Sequence, residues 1–170
     1  EFRRVLFRSP AVGRWREAYV GHAVDSALRS SASSGGLGTW VALALLRSGK
    51  VDGVLHVAPR APHDADGPLF DYRISRSPDE VRGGARSRYY PVHMADVLRA
   101  VARTPGRYAV VGLPCFIKAV QLLREEDPVF RERICHTVGL FCGHMKSARL
   151  IESFAWQMGV APHELAAADF

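Results

Sequence analysis

Two similar sequence phrases constrain the fold of this chain more than any other feature. Residues 107–113 (RYAVVGL) and 134–142 (ICHTVGLFC) are short, apolar and rich in β-branched residues, which predicts two buried strands. The phrase PCFIKAVQLLRE between them predicts a helix that begins at Pro114, where the missing N–H is not needed. A strand–helix–strand unit of this length joins parallel strands, so the pattern predicts an α/β fold.

The rest of the chain continues this alternation of helices and strands. Residues 36–49 predict a substantially buried helix, with Ser33 or Ser34 as its N-cap and Gly49 at its C′ position. Further elements are predicted as follows: a strand at 51–58, a long loop at 59–77 with one edge strand at FDYRIS, a helical turn from Pro78 broken at Gly83 and Gly84, an extended stretch at 87–91, and helices at 94–103 and 146–159. The predicted fold class is α/β, with a mainly parallel sheet, helices packed on it, and truncation at both ends.

The first residues do not follow this pattern. Residues 1–9 (EFRRVLFRS) show neither amphipathic order nor a turn signal, and they resemble the translation of a common sequencing-library adapter. We therefore expect residues 10–170 to form a partial domain. The excluded segment contributes +2 of the formal net charge of +6, so the remaining excess of basic residues is mild.

Composition and charge exclude several classes of protein. Lys and Arg are spread along the chain without the basic run of a nucleic-acid-binding arm, so no nucleic-acid partner is predicted. The longest apolar stretch, residues 37–46, is about half of the roughly 20 residues that span a bilayer, so no membrane span is predicted. Three cysteines argue against a disulfide framework and for thiols or metal ligands in a reducing compartment. We therefore expect a cytoplasmic protein.

Cys115 and Cys142 are the first candidates for a functional site. Each follows a predicted strand, and Cys115 lies on the first turn of a helix, where free N–H groups stabilise a thiolate. If the two strands are parallel, both cysteines emerge at the carboxyl edge of the sheet, where ligand sites are common. Cys115 is then a candidate ligand or nucleophile. The alternative is that each cysteine is a small buried apolar residue.

Cys135 is predicted to have a different role. On a continuous strand its side chain lies on the opposite face from Cys142 and roughly 23 Å away, at ~3.3 Å per residue. It cannot share a metal cluster with Cys142 unless the strand breaks. We therefore predict that Cys135 is a thiol of the core.

Two further segments are candidates for binding an anionic cofactor. Small residues before the helix at 36–49 expose its first N–H groups, which favours a phosphate site at Ser33, Ser34, Gly35 and Gly36. The alternative is a plain N-cap with flexible glycines. The phrase RSRYYP supplies groups that can stack on a ring and bind a phosphate: Arg86, Ser87, Arg88, Tyr89 and Tyr90. The alternative is that Tyr90 belongs to the core and that the arginines are solvated. The seven histidines form no HExxH pair, so a zinc hydrolase is unsupported.

Five phrases of the chain, SSGG, SGKVDGVLHV, SRYYPV, VVGLPCFIKAVQLL and VGLFCGHMKS, resemble the coenzyme F420 hydrogenase/dehydrogenase beta subunit family. The resemblance runs from about residue 20 to the end. It implies a flavoprotein with iron–sulfur clusters that passes electrons between FAD, a 4Fe–4S cluster and a partner such as the deazaflavin coenzyme F420. It also implies two cluster ligands, Cys115 and Cys142, and seven flavin-binding residues, Ser33, Ser34, Gly35, Gly36, Ser87, Arg88 and Tyr89.

A 4Fe–4S cluster needs four thiolates, and the chain does not supply them in one place. The resemblance implies that the other cluster cysteines lie beyond Phe170 and that a cysteine-rich segment precedes Pro10. The phrase GGARSRYYP departs slightly from the family's Gly-Ser-Lys-Tyr pattern.

The implied function is that of an oxidoreductase subunit in a redox relay, in which no residue of this chain acts as an acid or base. Its partner would be a redox subunit or a small-molecule electron acceptor. Two other functions remain open. One is a cysteine-nucleophile enzyme built on Cys115 with a histidine base. The other is a non-catalytic electron-transfer or scaffold subunit.

Overall fold

The computed structural model describes residues 7–10, 13–60 and 67–168, and the side chains from residue 10 onward. Its centre is a four-stranded sheet in the order β4-β3-β5-β6. The strands are β3 (Gly53–Pro59), β4 (Phe70–Ser75), β5 (Tyr108–Gly112) and β6 (Ile134–Gly139). β3, β5 and β6 are parallel to one another, and β4 pairs antiparallel with β3 at one edge. A separate short hairpin consists of β1 (Phe7–Ser9) and β2 (Gly13–Trp15).

Helices connect the strands and cover both faces of the sheet. They are α1 (Ser26–Ser30), α2 (Leu37–Arg47), α3 (Pro78–Gly83), α4 (Ala95–Arg103), α5 (Pro114–Glu126), α6 (Pro128–Arg133) and α7 (Arg149–Gln157), followed by a 3₁₀ turn at Pro162–Glu164. The parallel strands and their covering helices confirm the predicted α/β class. The predicted edge strand at FDYRIS is also confirmed.

The core has two parts, one on each face of the sheet, because successive strand residues point in opposite directions. On one face, Leu55 and Val110 pack with apolar residues of α4, α5 and α6. On the other, Val54 and Ala109 pack with residues of α1, α2 and α3. Because helices cover both faces of the sheet, its central strands are near-continuous apolar runs, as is typical of parallel strands.

Local capping chemistry sets several of the helix boundaries. α3 begins with a capping box, in which the Ser77 hydroxyl accepts from the Glu80 N–H and the Glu80 carboxylate accepts from the Ser77 N–H. Pro114 opens α5 as predicted. Gly49 follows the C-cap of α2 with a φ of +64°, so the predicted C′ glycine is confirmed.

Three predictions about helices and strands are wrong. The N-cap of α2 is Gly36, with a φ of +76°, and neither Ser33 nor Ser34 caps the helix. α2 is also less buried than its apolar sequence suggested, because it lies on the outer layer and exposes 49 % of Trp40. The last strand ends at Gly139, since the backbone leaves the sheet there to form a loop.

The prediction that Cys135 is a core thiol is wrong as well. Cys135 is exposed, and its sulfur lies 3.5 Å from the Glu132 carbonyl oxygen at the start of β6. β6 is an edge strand of this sheet, so its side chains are covered less completely than those of β3 and β5. An apolar strand sequence does not by itself distinguish a central strand from an edge strand.

Candidate functional site

A cleft with a volume of about 510 Å³ lies at the carboxyl ends of the three parallel strands. Its walls come from the turn at residues 32–36, from residues 84–90 and from residues 140–146. Residues Val57 of β3, Val111 of β5 and Leu140 after β6 line it at the strand ends. The carboxyl edge of a parallel sheet is the usual place for a ligand, and the volume falls within the range of small-molecule sites.

The first wall is the serine–glycine turn, residues 33–36. Ser33, Ser34 and Gly36 line the cleft. Gly36 has the left-handed φ of +76°, which a residue with a side chain rarely adopts, and it begins α2. Gly35 does not line the cleft, because its carbonyl oxygen accepts from the Ala23 N–H at 2.7 Å on the other side of the turn. The structure therefore brings three of the four residues predicted here to the cleft.

The second wall is the arginine segment, residues 84–90, which contains the predicted Ser87, Arg88 and Tyr89. All three line the cleft. The Ser87 N–H donates to the Ser33 hydroxyl at 2.9 Å, and the Arg86 Nε donates to the Ser31 carbonyl at 3.3 Å. These two bonds join the arginine segment to the region of the serine–glycine turn across more than 50 residues of sequence. Two motifs that the sequence suggested separately are thus parts of one site.

Arg88 is the half-buried cation of this segment. Its guanidinium lies 5.1 Å from the centre of the Phe70 ring and donates to the Ala85 carbonyl at 2.9 Å. Burial, and then the charge of Arg86, lower the pKa of Arg88. Tyr90 meets the same Phe70 ring edge-on at 5.6 Å, whereas Tyr89 is exposed. The guanidinium is therefore held by an aromatic face at the side of the cleft.

The charged side chains that line the cleft are all cations: Arg86, Arg88 and Lys146. No Asp or Glu is found among the lining residues in the described part of the chain. A cleft with fixed positive charge and no carboxylate favours anionic ligands.

The two cysteines follow the ends of neighbouring strands. Gly112 of β5 and Gly139 of β6 face each other in the ladder, and Cys115 and Cys142 are each the third residue after their glycine. The Leu140 N–H donates to the Gly112 carbonyl at 2.9 Å, which joins the two turns. Both cysteines are exposed and neither forms a disulfide. Cys142 lines the cleft, and Cys115 lies outside its lining on the first turn of α5.

Tyr72 is a residue of this region that sequence reasoning missed. It reaches from the edge strand β4 across to β5, where its hydroxyl donates to the Val111 carbonyl at 3.2 Å. Its ring packs against Phe116 at 5.6 Å between centroids, and it lines the cleft. Burial, and then the charge of Cys115, raise the pKa of Tyr72. The alternation in FDYRIS, which places Phe70 and Tyr72 on one face, was the signal that could have found it.

His56 and Ser75 form a second pair that the sequence did not reveal. The imidazole Nε2 and the serine hydroxyl lie 2.7 Å apart, and both residues are buried. Burial lowers the pKa of His56 to about 4, so the ring is neutral at neutral pH. His56 lines the inner part of the cleft. No periodicity in the sequence distinguishes a buried histidine of this kind from an exposed one.

Within residues 7–10, 13–60 and 67–168, no helix is long and apolar enough to cross a membrane. The same residues contain no group of three or more His, Cys, Asp or Glu side chains that could hold a metal ion.

The fold is similar to that of a chain from the xenon-derivatised F420-reducing [NiFe] hydrogenase complex of Methanosarcina barkeri. The superposition has a TM-score of 0.73 at 19 % sequence identity and covers 88 % of this chain. It covers 52 % of the Methanosarcina chain, so the protein spans about half the length of that structure. No curated protein sequence matches the chain.

Two parts of one protein family match the sequence itself. Residues 18–99 match the N-terminal part of the coenzyme F420 hydrogenase/dehydrogenase beta subunit family. Residues 106–170 match the C-terminal part of the same family. Together they cover most of the chain and include all three walls of the cleft and both strand-end cysteines. The chain belongs to the coenzyme F420 hydrogenase/dehydrogenase beta subunit family.

Proposed function

We propose that this chain belongs to an electron-transfer oxidoreductase subunit that binds FAD in the cleft. The subunit passes electrons between FAD and coenzyme F420 or a similar acceptor. Membership of the family supports the oxidoreductase class. The flavin, the acceptor and the site residues are parts of the proposal.

The observation that carries the proposal is that the serine–glycine turn and the arginine segment meet in one cleft. Six of the seven flavin residues predicted from sequence line one cleft, and a hydrogen bond between Ser33 and Ser87 connects their segments. The seventh, Gly35, supports the turn from behind. Residues far apart in sequence meet at the sheet edge where nucleotide cofactors usually bind. A cationic and partly aromatic cleft suits a dinucleotide with a pyrophosphate and two ring systems.

FAD, when bound, supplies the chemistry of accepting a hydride and releasing its electrons one at a time. The residues of the chain bind and orient it. The hydroxyls of Ser33 and Ser34 and the cations Arg88 and Lys146 provide polar contacts for phosphates and ribityl oxygens. The apolar strand ends, with Tyr72, exclude water from the inner part of the cleft.

The residues described do not fit a complete 4Fe–4S cluster. Such a cluster needs four thiolates, and Cys115 and Cys142 are the two cysteines that follow adjacent strand ends. We propose that both are two of the four ligands, with the remainder supplied from outside the described residues.

The partner is proposed to be another redox subunit, since the similar fold comes from a hydrogenase complex. Free, exposed cysteines are typical of a reducing compartment, which supports the proposed cytoplasmic location. A cysteine-nucleophile enzyme has less support. Among the described residues, no hydrogen bond joins the thiol of Cys115 to a histidine base.

The proposal is tested by titrating flavin-depleted protein with FAD. The quenching of flavin fluorescence measures the binding. We expect saturable binding with one FAD per chain. Arg88→Ala should weaken it at least about tenfold, because a charge-assisted contact contributes about 1.5–3 kcal/mol. Arg103→Ala is the matched control, since Arg103 is an exposed arginine at the end of α4, outside the cleft.

If Arg88→Ala and Arg103→Ala weaken FAD binding equally, FAD does not bind in the cleft. Absence of FAD binding in the wild-type protein would contradict the proposed function. A parallel titration with FMN distinguishes the whole dinucleotide from its flavin half.

A further inference from the structure

Gly84 makes an unusually close contact with the central sheet. A Cβ atom at this position would lie 2.2 Å from Cε1 and 2.4 Å from Nδ1 of His56, and 3.0 Å from the Val57 carbonyl oxygen. The φ of Gly84 is −93°, which any residue can adopt. The need for glycine here therefore comes from the contact with His56 and not from the backbone conformation.

His56 is held rigidly beneath this contact. Its imidazole is 7 % exposed, and Nε2 lies 2.7 Å from the hydroxyl of Ser75, which is fully buried on β4. A buried side chain with a satisfied hydrogen bond has little freedom to move away from an added methyl group. The imidazole thus forms a fixed surface on which residue 84 rests.

The residues that follow Gly84 form the second wall of the cleft. Ala85 is buried, the Ser87 N–H bonds to Ser33, and the Arg88 guanidinium lies over Phe70. Since Gly84 ends α3 and lies directly against His56 of β3, the distance between Gly84 and His56 sets the height of these groups above the strand ends. A displacement at Gly84 would move Ser87 and Arg88 together.

We propose that Gly84 and His56 are positioning residues of the FAD site, which hold the arginine segment against β3 at the distance that FAD binding requires. This inference rests on the proposed function. Both residues line the cleft, and the proposed effect acts through the positions of Ser87 and Arg88. The adjacent Gly83 provides a matched comparison, because a Cβ atom there meets nothing within 4 Å.

The test compares Gly84→Ala with Gly83→Ala in flavin-depleted protein. FAD affinity is measured by fluorescence titration, and folding by thermal unfolding. We expect Gly84→Ala to weaken FAD binding by at least about tenfold, because small misplacements of binding groups are costly. Gly83→Ala should change the affinity less than about twofold, as a surface substitution outside such contacts does. The double variant Gly84→Ala/His56→Ala should recover part of the affinity, since the imidazole is removed and only the Val57 carbonyl remains close.

The outcomes separate this inference from the proposed function. Equal FAD affinity in wild type, Gly83→Ala and Gly84→Ala would overturn the positioning role and leave the FAD site intact. No FAD binding in the wild type would overturn both. If Gly84→Ala does not fold, His56→Ala is used as the test variant instead, because it removes the imidazole that supports Gly84 without adding volume. It should weaken FAD binding at least about threefold, and an unchanged affinity would overturn the inference.

Discussion

Gly112 and Gly139 face each other at the ends of two parallel strands, and the third residue after each of them is a cysteine. The Leu140 N–H donates to the Gly112 carbonyl, so the pairing of the two strands continues into the turns that follow them. The similarity of the phrases GLPC and GLFC is therefore also a similarity of position in the fold. It is the structural basis for treating Cys115 and Cys142 as a pair.

The first prediction concerns this pair of cysteines. Cys115→Ser and Cys142→Ser should each lower the iron content of anaerobically purified holoprotein well below the about four irons of one cluster, because each removes a thiolate. Iron analysis and the visible absorbance of the cluster are the measurements. Cys135→Ser is the control and should retain the iron, since Cys135 lies at the opposite end of β6. Full iron content in both of the first two variants would rule out their assignment as ligands.

The second prediction concerns Tyr72 and Gly112. A Cβ atom on Gly112 would lie 2.7 Å from the Tyr72 hydroxyl, whereas one on Gly139 would meet nothing within 4 Å. Gly112→Ala should reduce the free energy of unfolding by about 1–3 kcal/mol, as overpacking in a core does. Gly139→Ala, the matched control, should change it by less than about 0.5 kcal/mol. Urea denaturation measures both.

A second-site variant checks the cause of that loss. Tyr72→Phe removes the hydroxyl that collides with the new methyl group, and also its hydrogen bond to Val111. The double variant Gly112→Ala/Tyr72→Phe should therefore be more stable than Gly112→Ala alone. Strictly additive losses would show that Tyr72 is not the obstacle.

The third prediction concerns pH. Burial lowers the pKa of His56 from its ordinary value of 6.5 to about 4 in the folded protein, because it disfavours the charged ring. The unfolded chain therefore binds more protons between these values. The stability from the neutral ring is fully present above about pH 6.5 and is lost as the pH falls toward 4. The loss amounts to about 3 kcal/mol for a difference of this size.

The measurement is the free energy of unfolding at a series of pH values from 7 to about 4. His56→Asn is the comparison, because asparagine fits near the same position without a titrating group. Its pH profile should be flatter than that of the wild type over this window. Parallel profiles would show that carboxylates alone cause the acid sensitivity.

The fourth prediction concerns the bond between the two walls of the cleft. Ser33→Ala removes the acceptor of the Ser87 N–H. A lost hydrogen bond of about 1 kcal/mol should weaken FAD binding roughly fivefold. Ser30→Ala is the control, because that hydroxyl bonds to the Ala27 carbonyl within α1 and lies outside the cleft. If the two variants bind FAD equally, the bond between the walls does not contribute to the site.

Much of this architecture could be predicted because it depends on local patterns. The β-branched runs at β3, β5 and β6 and the helix-end signals at Pro114 and Gly49 act within a few residues of where they occur. The order strand–helix–strand then requires parallel neighbours. The position of the two cysteines after adjacent strand ends follows from the same local information.

The errors occurred where a residue's environment depends on distant parts of the chain. Cys135 looked like a core residue from its strand sequence, but β6 lies at the edge of the sheet. Ser33 was expected as an N-cap of α2, but its hydroxyl accepts from the Ser87 N–H instead. The sequence does not state which strand is last in a sheet or which side of a turn faces a cleft.

By itself, the sequence of this protein determined the alternation of its elements, the parallel arrangement of its strands, and the family to which it belongs. Only the tertiary structure decided that Ser33 meets Ser87, that Tyr72 reaches Val111, and that Gly84 rests on His56. The physical reason is separation along the chain. Periodicity and capping are encoded within a few neighbouring residues, whereas these contacts join residues that are 28 to 54 positions apart and exist only after the sheet has assembled.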